Sequence, residues 1–480
     1  MADTLRSGLR LRPNEHRALL LAGDLIASIA AVFFASYTWI QYSLYILISD
    51  GIKPERAEQL LRIQIPIWFY LLPLGWLLLM VELYEPHTAA SWRKTLRGVA
   101  ITAFVGIVAY SLVFIIKQDP NSLPRIGVGA FILYASFLTL IWRASYIRLY
   151  TSSGFQRRVL IIGAGKAGQT LAQIYHHLSP PPFVLVGYVD DDPKKAKHSY
   201  EGFPVIGPSR NLLQFMDDYR ISDLVMAIHG EVQGSTFQTI LDAQERGVEV
   251  TRMPILYEEI TQRVPIHHLE SDWLIRSFVD QLRVSVIYEV LKRLMDILGG
   301  LAGLLIFAII FPFAALATLM DSGLPIFYSQ NRLGKGGQIF KIYKFRTMKQ
   351  NAEADGEARL AAENDPRVTR VGNFLRRTRL DELPQFWNIF RGEMSLVGPR
   401  AERPSLVAEF QKQIPFYRAR LLVKPGLTGW AQINYGYVAT VTETGVKLEY
   451  DLYYIKHRSL PMDFAIILRT VGTVLSRKGR

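Results

Sequence analysis

From Arg332 to Arg403 the chain holds 15 Lys and Arg against 9 Asp and Glu. Apolar residues interleave with these charges in the manner of a membrane interface. The stretch therefore predicts an anionic substrate held at a bilayer surface, and no nucleic acid. Within it, Arg379-Leu380-Asp381-Glu382-Leu383-Pro384 sets two adjacent carboxylates at the start of a predicted amphipathic helix, whose apolar face carries Leu383, Phe386, Trp387 and Phe390. A helix N-terminus favours carboxylate and phosphate alike, so the pair taken alone also fits a plain acidic first turn without catalysis.

A second group is Gly163-Ala164-Gly165-Lys166-Ala167-Gly168. This G-x-G-x-x-G turn follows the short apolar run Arg158 to Ile162 and precedes a predicted helix, Gln169 to His177. Such glycines permit a tight turn and let a pyrophosphate approach a helix N-terminus. A strand over Phe183 to Val189 ends in Asp190-Asp191-Asp192, about 20 residues on, where such folds place a ribose-binding acid. Gly163, Gly165, Gly168 and Asp190 are thus candidate nucleotide-binding residues. The same glycines also serve strand-to-helix packing, and no Tyr-x-x-x-Lys pattern of a short-chain dehydrogenase accompanies them, so a regulatory or structural role is the plainer expectation. Helices around Asn211 to Tyr219 and Phe237 to Arg246 alternate with strands at Asp223 to Ile228 and Val248 to Arg252. This predicts a Rossmann-like α/β domain over about 155–265.

Both groups must be carried by elements suited to a membrane. Of 480 residues half are hydrophobic and 20% charged, and the mean hydropathy is +0.14, which argues against an ordinary soluble enzyme and excludes a disordered chain. The net charge of +13 suits an anionic bilayer or phosphate-bearing substrates. With no cysteine, disulfides, thiolate catalysis, zinc-thiolate sites and iron–sulfur clusters are excluded.

Four apolar stretches, about Ala18 to Ile40, Ile63 to Leu83, Leu96 to Ile116 and Gly127 to Leu149, are each long enough to cross a hydrocarbon core of about 30 Å. They predict a four-helix transmembrane bundle over 1–150. Its loops contain Pro54, Pro86, Pro120 and Pro124. Arg6, Arg10, Arg12, Arg17, Arg93, Lys94, Arg143, Arg148, Arg157 and Arg158 flank one side. The other side holds Lys53, Arg56, Arg62, Lys117 and Arg125, so the N-terminus and everything after residue 150 are expected in the cytoplasm. The first run is too long for a cleaved signal peptide. Asp24 within it is a functional intramembrane acid or, as the plainer expectation, a residue that sits near the interface or pairs inside the bundle.

A fifth apolar segment, Leu294 to Met320, contains Pro312 and has cations on both flanks: Lys292 and Arg293 before it, Arg332, Lys335, Lys341, Lys344, Arg346 and Lys349 after it. A helix–break–helix that dips into one leaflet and returns reconciles the flanks, whereas a plain span would put the C-terminal domain outside.

Four segments together carry a resemblance: KIYKFRTM (Lys341 to Met348), RRTRLDELPQFWNIFRGEMSLVGPR (Arg376 to Arg400), KPGLTGWAQIN (Lys424 to Asn434) and D-x-Y-Y-x-x-x-x-S-x-x-x-D (Asp451 to Asp463). Over about 283–480 the chain resembles the bacterial polyprenyl-phosphate hexose-1-phosphate transferases of the monotopic phosphoglycosyl transferase superfamily. The preceding spans and nucleotide-like domain are similar to the large members that initiate O-antigen, capsule or exopolysaccharide synthesis. The implied fold is membrane α plus α/β: the bundle over 1–150, the Rossmann-like domain over 155–265, a linker over 266–282, and a mainly helical monotopic catalytic domain over 283–480 with a re-entrant helix at about 285–320.

The resemblance implies transfer of hexose 1-phosphate from UDP-glucose or UDP-galactose to undecaprenyl phosphate, with release of UMP, at the cytoplasmic face of a bacterial inner membrane. It carries Asp381 over as nucleophile and Glu382 as magnesium ligand, the two forming the Mg2+ site. Lys344 would neutralise phosphate or position the pair, and Asp463 would be a further acid of the site. Arg376, Arg400 and Arg346 would hold phosphates, Arg346 alternatively serving as a salt bridge between helices. Pro425, Gly426, Gly429 and Trp430 are expected to shape a turn and an interfacial anchor. One departure is Asn434-Tyr435-Gly436-Tyr437, where small members have Asn-Gly-Arg, and it is the basis for expecting a plain hexose rather than an N-acetylated one. A homodimer is compatible with these domains. Two alternatives come from other classes: a catalytically silent membrane scaffold or nucleotide sensor, and an NAD-dependent sugar-modifying enzyme resting on the glycine turn.

Overall fold

Apolar runs free of internal proline form uninterrupted helices in the first third of the chain. The computed structural model describes residues 13–56, 65–84, 86–116, 124–150, 156–179, 181–228, 230, 234–269, 285–349, 365–436 and 440–475. Arg6, Arg10, Arg12, Arg62, Lys117, Pro120, Tyr437 and the linker after residue 269 lie outside the described residues. Two compact units divide the chain, Met1–Arg252 and Met253–Arg480.

In the first unit α1 (Pro13–Ser49) is followed by α2 (Leu72–Leu79), a short α3 (Pro86–Ala89), α4 (Trp92–Ile116) and α5 (Arg125–Tyr150). Among the described residues before 150, three helices, Glu15–Ser49, Trp92–Ile115 and Arg125–Leu149, are long and apolar enough to cross a membrane. The second expected span differs. Its run is broken into a 3-10 helix (Ile67–Leu71), α2 and another 3-10 turn (Val81–Tyr84). Pro73 supplies no N–H and sits in the first turn of α2, where a helix can start but not be continued through.

The bundle core gathers Leu20, Ala31, Val32 and Ala35 of α1, Val128, Phe131 and Ala135 of α5, and Phe69 and Trp76. Asp24 is paired here: Arg143 donates to its Oδ2 at 2.6 Å and to the Leu83 carbonyl at 2.8 Å, with both charged side chains fully buried.

The remainder of the unit is a six-stranded sheet of order β3-β4-β2-β1-β5-β6. Its chain order is β1 (Arg157–Ile162), α6 (Lys166–His176), β2 (Phe183–Val189), β3 (Ser199–Tyr200), β4 (Phe203–Gly207), α7 (Leu212–Tyr219), β5 (Asp223–Met226), α8 (Gly234–Glu245) and β6 (Glu249–Arg252). All neighbours are parallel except β3 against β4. The buried runs of β1 and β2 read as continuous apolar strands because helices cover a parallel sheet. The β3–β4 hairpin is an addition to the expected alternation.

The second unit begins with α9 (Met253–Thr261), inside the stretch assigned above to the nucleotide-fold domain. Val264 and Ile266, just beyond it, share a core with Val397, Trp430, Leu448 and Leu452. Next come α10 (Val286–Ser322), the hairpin β7 (Phe327–Leu333) and β8 (Ile339–Phe345), α11 (Arg370–Arg377) and α12 (Gln385–Arg391). After them follow β9 (Ser395–Val397), α13 (Pro404–Gln413), β10 (Gly426–Thr428) parallel to β9, α14 (Trp430–Asn434), α15 (Val441–His457) and α16 (Leu460–Leu475).

The expected break in the fifth apolar segment is absent, and α10 runs as one helix through Pro312. A helix loses only one internal hydrogen bond at a proline, and packing along its length can hold it together. That packing extends from Tyr288, whose hydroxyl donates to Asp463 at 2.9 Å, to Asp321, which accepts from the Val371 amide at 3.0 Å. The two contacts are about 50 Å apart along the helix. The opposite face exposes Val286, Val290, Leu294, Leu298, Leu305, Ile309, Phe313, Leu316 and Met320.

Candidate functional site

Asp381 and Glu382 lie in a 3-10 turn (Leu380–Glu382) between α11 and α12, not at the N-terminus of one longer helix. Thr369 caps α11 by accepting from the Gly372 amide at 3.0 Å. Arg379, in the left-handed region at φ 59°, then turns the chain so that both carboxylates point inward. Each is 8% exposed.

Their surroundings are unequal. Lys344 of β8 donates to Glu382 Oε1 at 2.7 Å, and Arg400 donates to the same oxygen at 3.1 Å. Asp381 Oδ1 is buried without a hydrogen-bond partner among the described residues. Burial, reinforced by the Glu382 anion, pushes the Asp381 carboxyl above its ordinary range. Burial acts on Glu382 in the same sense, but Lys344, Arg400 and Arg379 outweigh it and hold that carboxyl well below its ordinary range. The turn thus presents one ion-paired carboxylate beside one that is desolvated and free to bond.

The turn is held by α10. Gly299, Gly300 and Gly303 of α10 face Leu396, Phe390 and Phe386, and a Cβ at Gly303 would overlap the Phe386 ring. Small residues let α12 come close, as at helix contacts inside membranes. Arg293 of α10 donates to the Ile389 and Phe390 carbonyls at 2.9 and 2.8 Å, which satisfies the C-terminal end of α12. Asp296 accepts from Ser395 Oγ and the Leu396 amide, both at 2.9 Å, and so ties α10 to β9. Asn388 of α12 donates to the Lys341 carbonyl at 2.8 Å, fixing the hairpin that carries Lys344.

Of the other expected site residues, Arg376 reaches Thr347 Oγ1 at 2.8 Å and its charge acts to lower the Asp381 carboxyl. Among the described residues Arg346 forms no salt bridge between helices; it donates to the Met348 and Pro325 carbonyls at 3.1 and 3.3 Å. Asp463, fully buried, takes its bonds from Lys292, Tyr288 and Tyr454, none of which belongs to the Asp381–Glu382 cluster. Trp430 is not an interfacial anchor. It is 5% exposed, stacks on Tyr453 and donates to the Gln262 carbonyl at 3.2 Å. Gly426 and Gly429 instead let one backbone segment lie directly on another, since a Cβ at either would overlap the backbone of Gly398.

Sequence reasoning gave no role to Arg379 or Thr347, although both fall inside quoted motifs. A non-glycine residue in the left-handed region leaves no compositional mark when it is arginine.

Asp381 Oδ1 and the second oxygen of Glu382 are hard donors that could hold a magnesium ion together with substrate phosphates and water. Among the described residues, no group of three His, Cys, Asp or Glu is gathered for a metal.

In the sheet domain Gly163 has φ +105° and a Cβ at Gly168 would overlap the Gly163 carbonyl, so turn geometry and packing explain both. A Cβ at Gly165 would meet nothing within 4 Å among the described residues. Asp190 is committed within the protein, accepting from the Ala164 amide of the glycine turn at 2.8 Å and pairing with Lys195 of its own loop at 2.9 Å.

Comparison with known proteins gives two family matches, a bacterial sugar transferase model over residues 287–477 and a CoA-binding domain model over residues 80–251. The chain is 43% identical over 232 residues to a UDP-N-acetylgalactosamine-undecaprenyl-phosphate N-acetylgalactosaminephosphotransferase of Aeromonas hydrophila, covering 48% of this chain and 53% of that one. It is 30% identical over 399 residues to a UDP-glucose:undecaprenyl-phosphate glucose-1-phosphate transferase of Xanthomonas campestris pv. campestris, covering 78% and 79%. An Escherichia coli protein of the same description is 32% identical, with 66% and 67% covered.

Proposed function

The chain belongs to the bacterial sugar transferases, and from that premise we propose that it moves a hexose 1-phosphate from a UDP-hexose to undecaprenyl phosphate, in two displacements at Asp381. The observation that carries the reading is the unequal carboxylate pair, Asp381 Oδ1 buried without a partner beside Glu382 held by Lys344 and Arg400.

In the first displacement an Asp381 oxygen bonds to the phosphorus that bears the sugar. The bond from that phosphorus to the bridging oxygen breaks, and UMP leaves with the electron pair. In the second, an undecaprenyl-phosphate oxygen attacks the same phosphorus and the Asp381 carboxylate departs, leaving a diphosphate-linked lipid. A desolvated carboxylate with a raised affinity for protons is a better nucleophile than a hydrated one. Lys344 and Arg400 offset charge on the transferring phosphoryl group while keeping Glu382 ionised. Arg376 stands on the Asp381 side to meet a further phosphate oxygen. A magnesium ion held by Asp381 and Glu382 would supply additional charge neutralisation.

A glucose or galactose donor is the reading from Tyr435 and Gly436. The relatives' names include glucose, galactose and N-acetylgalactosamine donors, so the donor panel must hold all three. For placement, α10 supports a one-sided mode. Its two ends contact the same unit and its exposed face is continuously apolar, so the helix sits in the near leaflet with the catalytic unit at the cytoplasmic surface.

The test is UMP release by detergent-solubilised protein from UDP-glucose, UDP-galactose and UDP-N-acetylgalactosamine, with and without undecaprenyl phosphate and Mg2+. Release that needs the lipid acceptor and the cation supports the reading. No release from any donor by folded protein overturns it and favours the scaffold or sensor alternative.

A further inference from the structure

Arg400 reaches Glu382 from a segment that belongs to no regular element. Past β9 the chain bends at Gly398 and Pro399 and continues to Arg403 outside any helix or strand, with an isolated parallel bridge joining Arg400 to Gly426. A loop arginine aimed at an active carboxylate must be held, or it spends ordering entropy at each turnover. Here four successive carbonyls are gripped. Pro399 O accepts from the Gly426 amide at 2.9 Å and Glu402 O receives the Leu333 amide at 3.0 Å. Ala401 O accepts from Arg332 at 3.1 Å. Arg400 O itself accepts from Arg420 at 3.1 Å.

The Arg420 contact falls on the residue that matters, and its donor is locked. The guanidinium is 4% exposed. It donates to Asp451 Oδ2 at 2.8 Å and to the Tyr417 hydroxyl at 2.8 Å, and lies 3.6 Å from Glu402. Asp451 comes from the middle of α15. A planar fork fixed by three partners sets the position of a carbonyl in a way that a single ammonium cannot.

We infer that Arg420, locked by Asp451, is a positioning residue for Arg400: it fixes the backbone from which Arg400 reaches the oxygen of Glu382 that Lys344 also holds. Arg420 does not touch the reacting atoms. The inference rests on the sugar-phosphate transfer reading above.

The experiment is a double-mutant cycle on kcat for UMP release by the full-length protein in detergent. Arg420→Lys is made in the wild type and in an Arg400→Lys background. Acting through Arg400, it should lower kcat by about 10–100-fold in the first, with KM for the UDP-sugar changed by less than about threefold. In the second it should cost less than about threefold, because the side chain it positions is already displaced. An equal loss in both backgrounds overturns the inference and makes Arg420 a general prop of the fold. Asp451→Asn, which keeps the shape and removes the charge that locks the guanidinium, is run through the same cycle. It carries the decision if Arg420→Lys lacks a native thermal transition. If the wild type itself releases no UMP, the transfer reading has failed; a wild type that turns over with an additive cycle leaves that reading standing and removes only the role of Arg420.

Discussion

Asp381 and Glu382 adjoin in the chain yet differ in what they can do, because their neighbours arrive from elsewhere. Lys344 is 38 residues upstream of Glu382 and Arg400 is 18 downstream, and both choose the same Glu382 oxygen. The motif makes the pair of carboxylates legible in the sequence, but which one is ion-paired is a tertiary fact. Asp381→Asn should lower product formation by about 10³-fold or more. Its thermal transition should be unchanged or raised, since a neutral amide relieves a buried anion beside Glu382. UMP release and the melting curve are read on one sample, and an active Asp381→Asn protein would remove the nucleophile assignment.

Glu449 gives a separate prediction at this scale. Burial pushes its carboxyl up to about 7, against the opposing effects of Arg263 and of the Tyr257 hydroxyl. The folded state therefore binds the proton more tightly than the unfolded chain, whose carboxyl titrates near 4.5. Its contribution is complete below that lower value and is lost as pH rises through about 7. Glu449→Gln should flatten this slope and raise stability at pH 8 by on the order of 1–3 kcal/mol. Melting temperatures of both proteins at pH 5, 6, 7 and 8 check it; parallel curves would contradict it.

Among the elements, α10 shows where sequence reasoning succeeds and where it stops. Cations on both flanks and an apolar run are readable in one dimension, and the run is indeed one apolar helix, Val286–Ser322. The helix–break–helix inferred from Pro312 did not follow, because a proline's effect depends on what packs around it. Here Ala314 and Phe311 sit with Phe345 and Leu375. The same limit applies near the start of the chain. Ile63 to Leu83 is predominantly apolar by sequence, while Pro73 divides its helix into short pieces.

If α10 lies along the catalytic unit, cysteines at Ser285 and Leu324 should react with a membrane-impermeant maleimide from the same side of sealed vesicles. Both positions are exposed and the chain contains no other cysteine. Labelling from opposite faces would mean that the helix spans the bilayer.

At the scale of the molecule, two units carry two family matches, and their hydrophobic cores share no residue. The sheet domain was legible because a parallel sheet demands long apolar strands and a glycine turn. Its boundary was not, because α9 continues directly from β6 yet sends Tyr257 and Glu258 to Glu449, Lys456 and His457. A helix that leaves one unit and packs in another has no signature in composition.

Separate cores predict separate unfolding, and two substitutions can address them one at a time. Gly168→Ala sets a Cβ against the Gly163 carbonyl in the sheet domain, and overpacking against backbone should cost about 1–3 kcal/mol. Glu449→Gln acts on the core that contains Leu448 and Leu452. Scanning calorimetry in detergent should then resolve at least two transitions. Gly168→Ala should lower one and leave the other in place, while the pH response of Glu449→Gln should appear only in the transition that Gly168→Ala leaves unmoved. UMP release by Gly168→Ala, assayed below its lowered transition, should stay within about twofold of wild type, since packing and not ligand contact explains that glycine. One cooperative transition shifted by both substitutions would instead mean that the sheet domain and the catalytic unit fold as a single body.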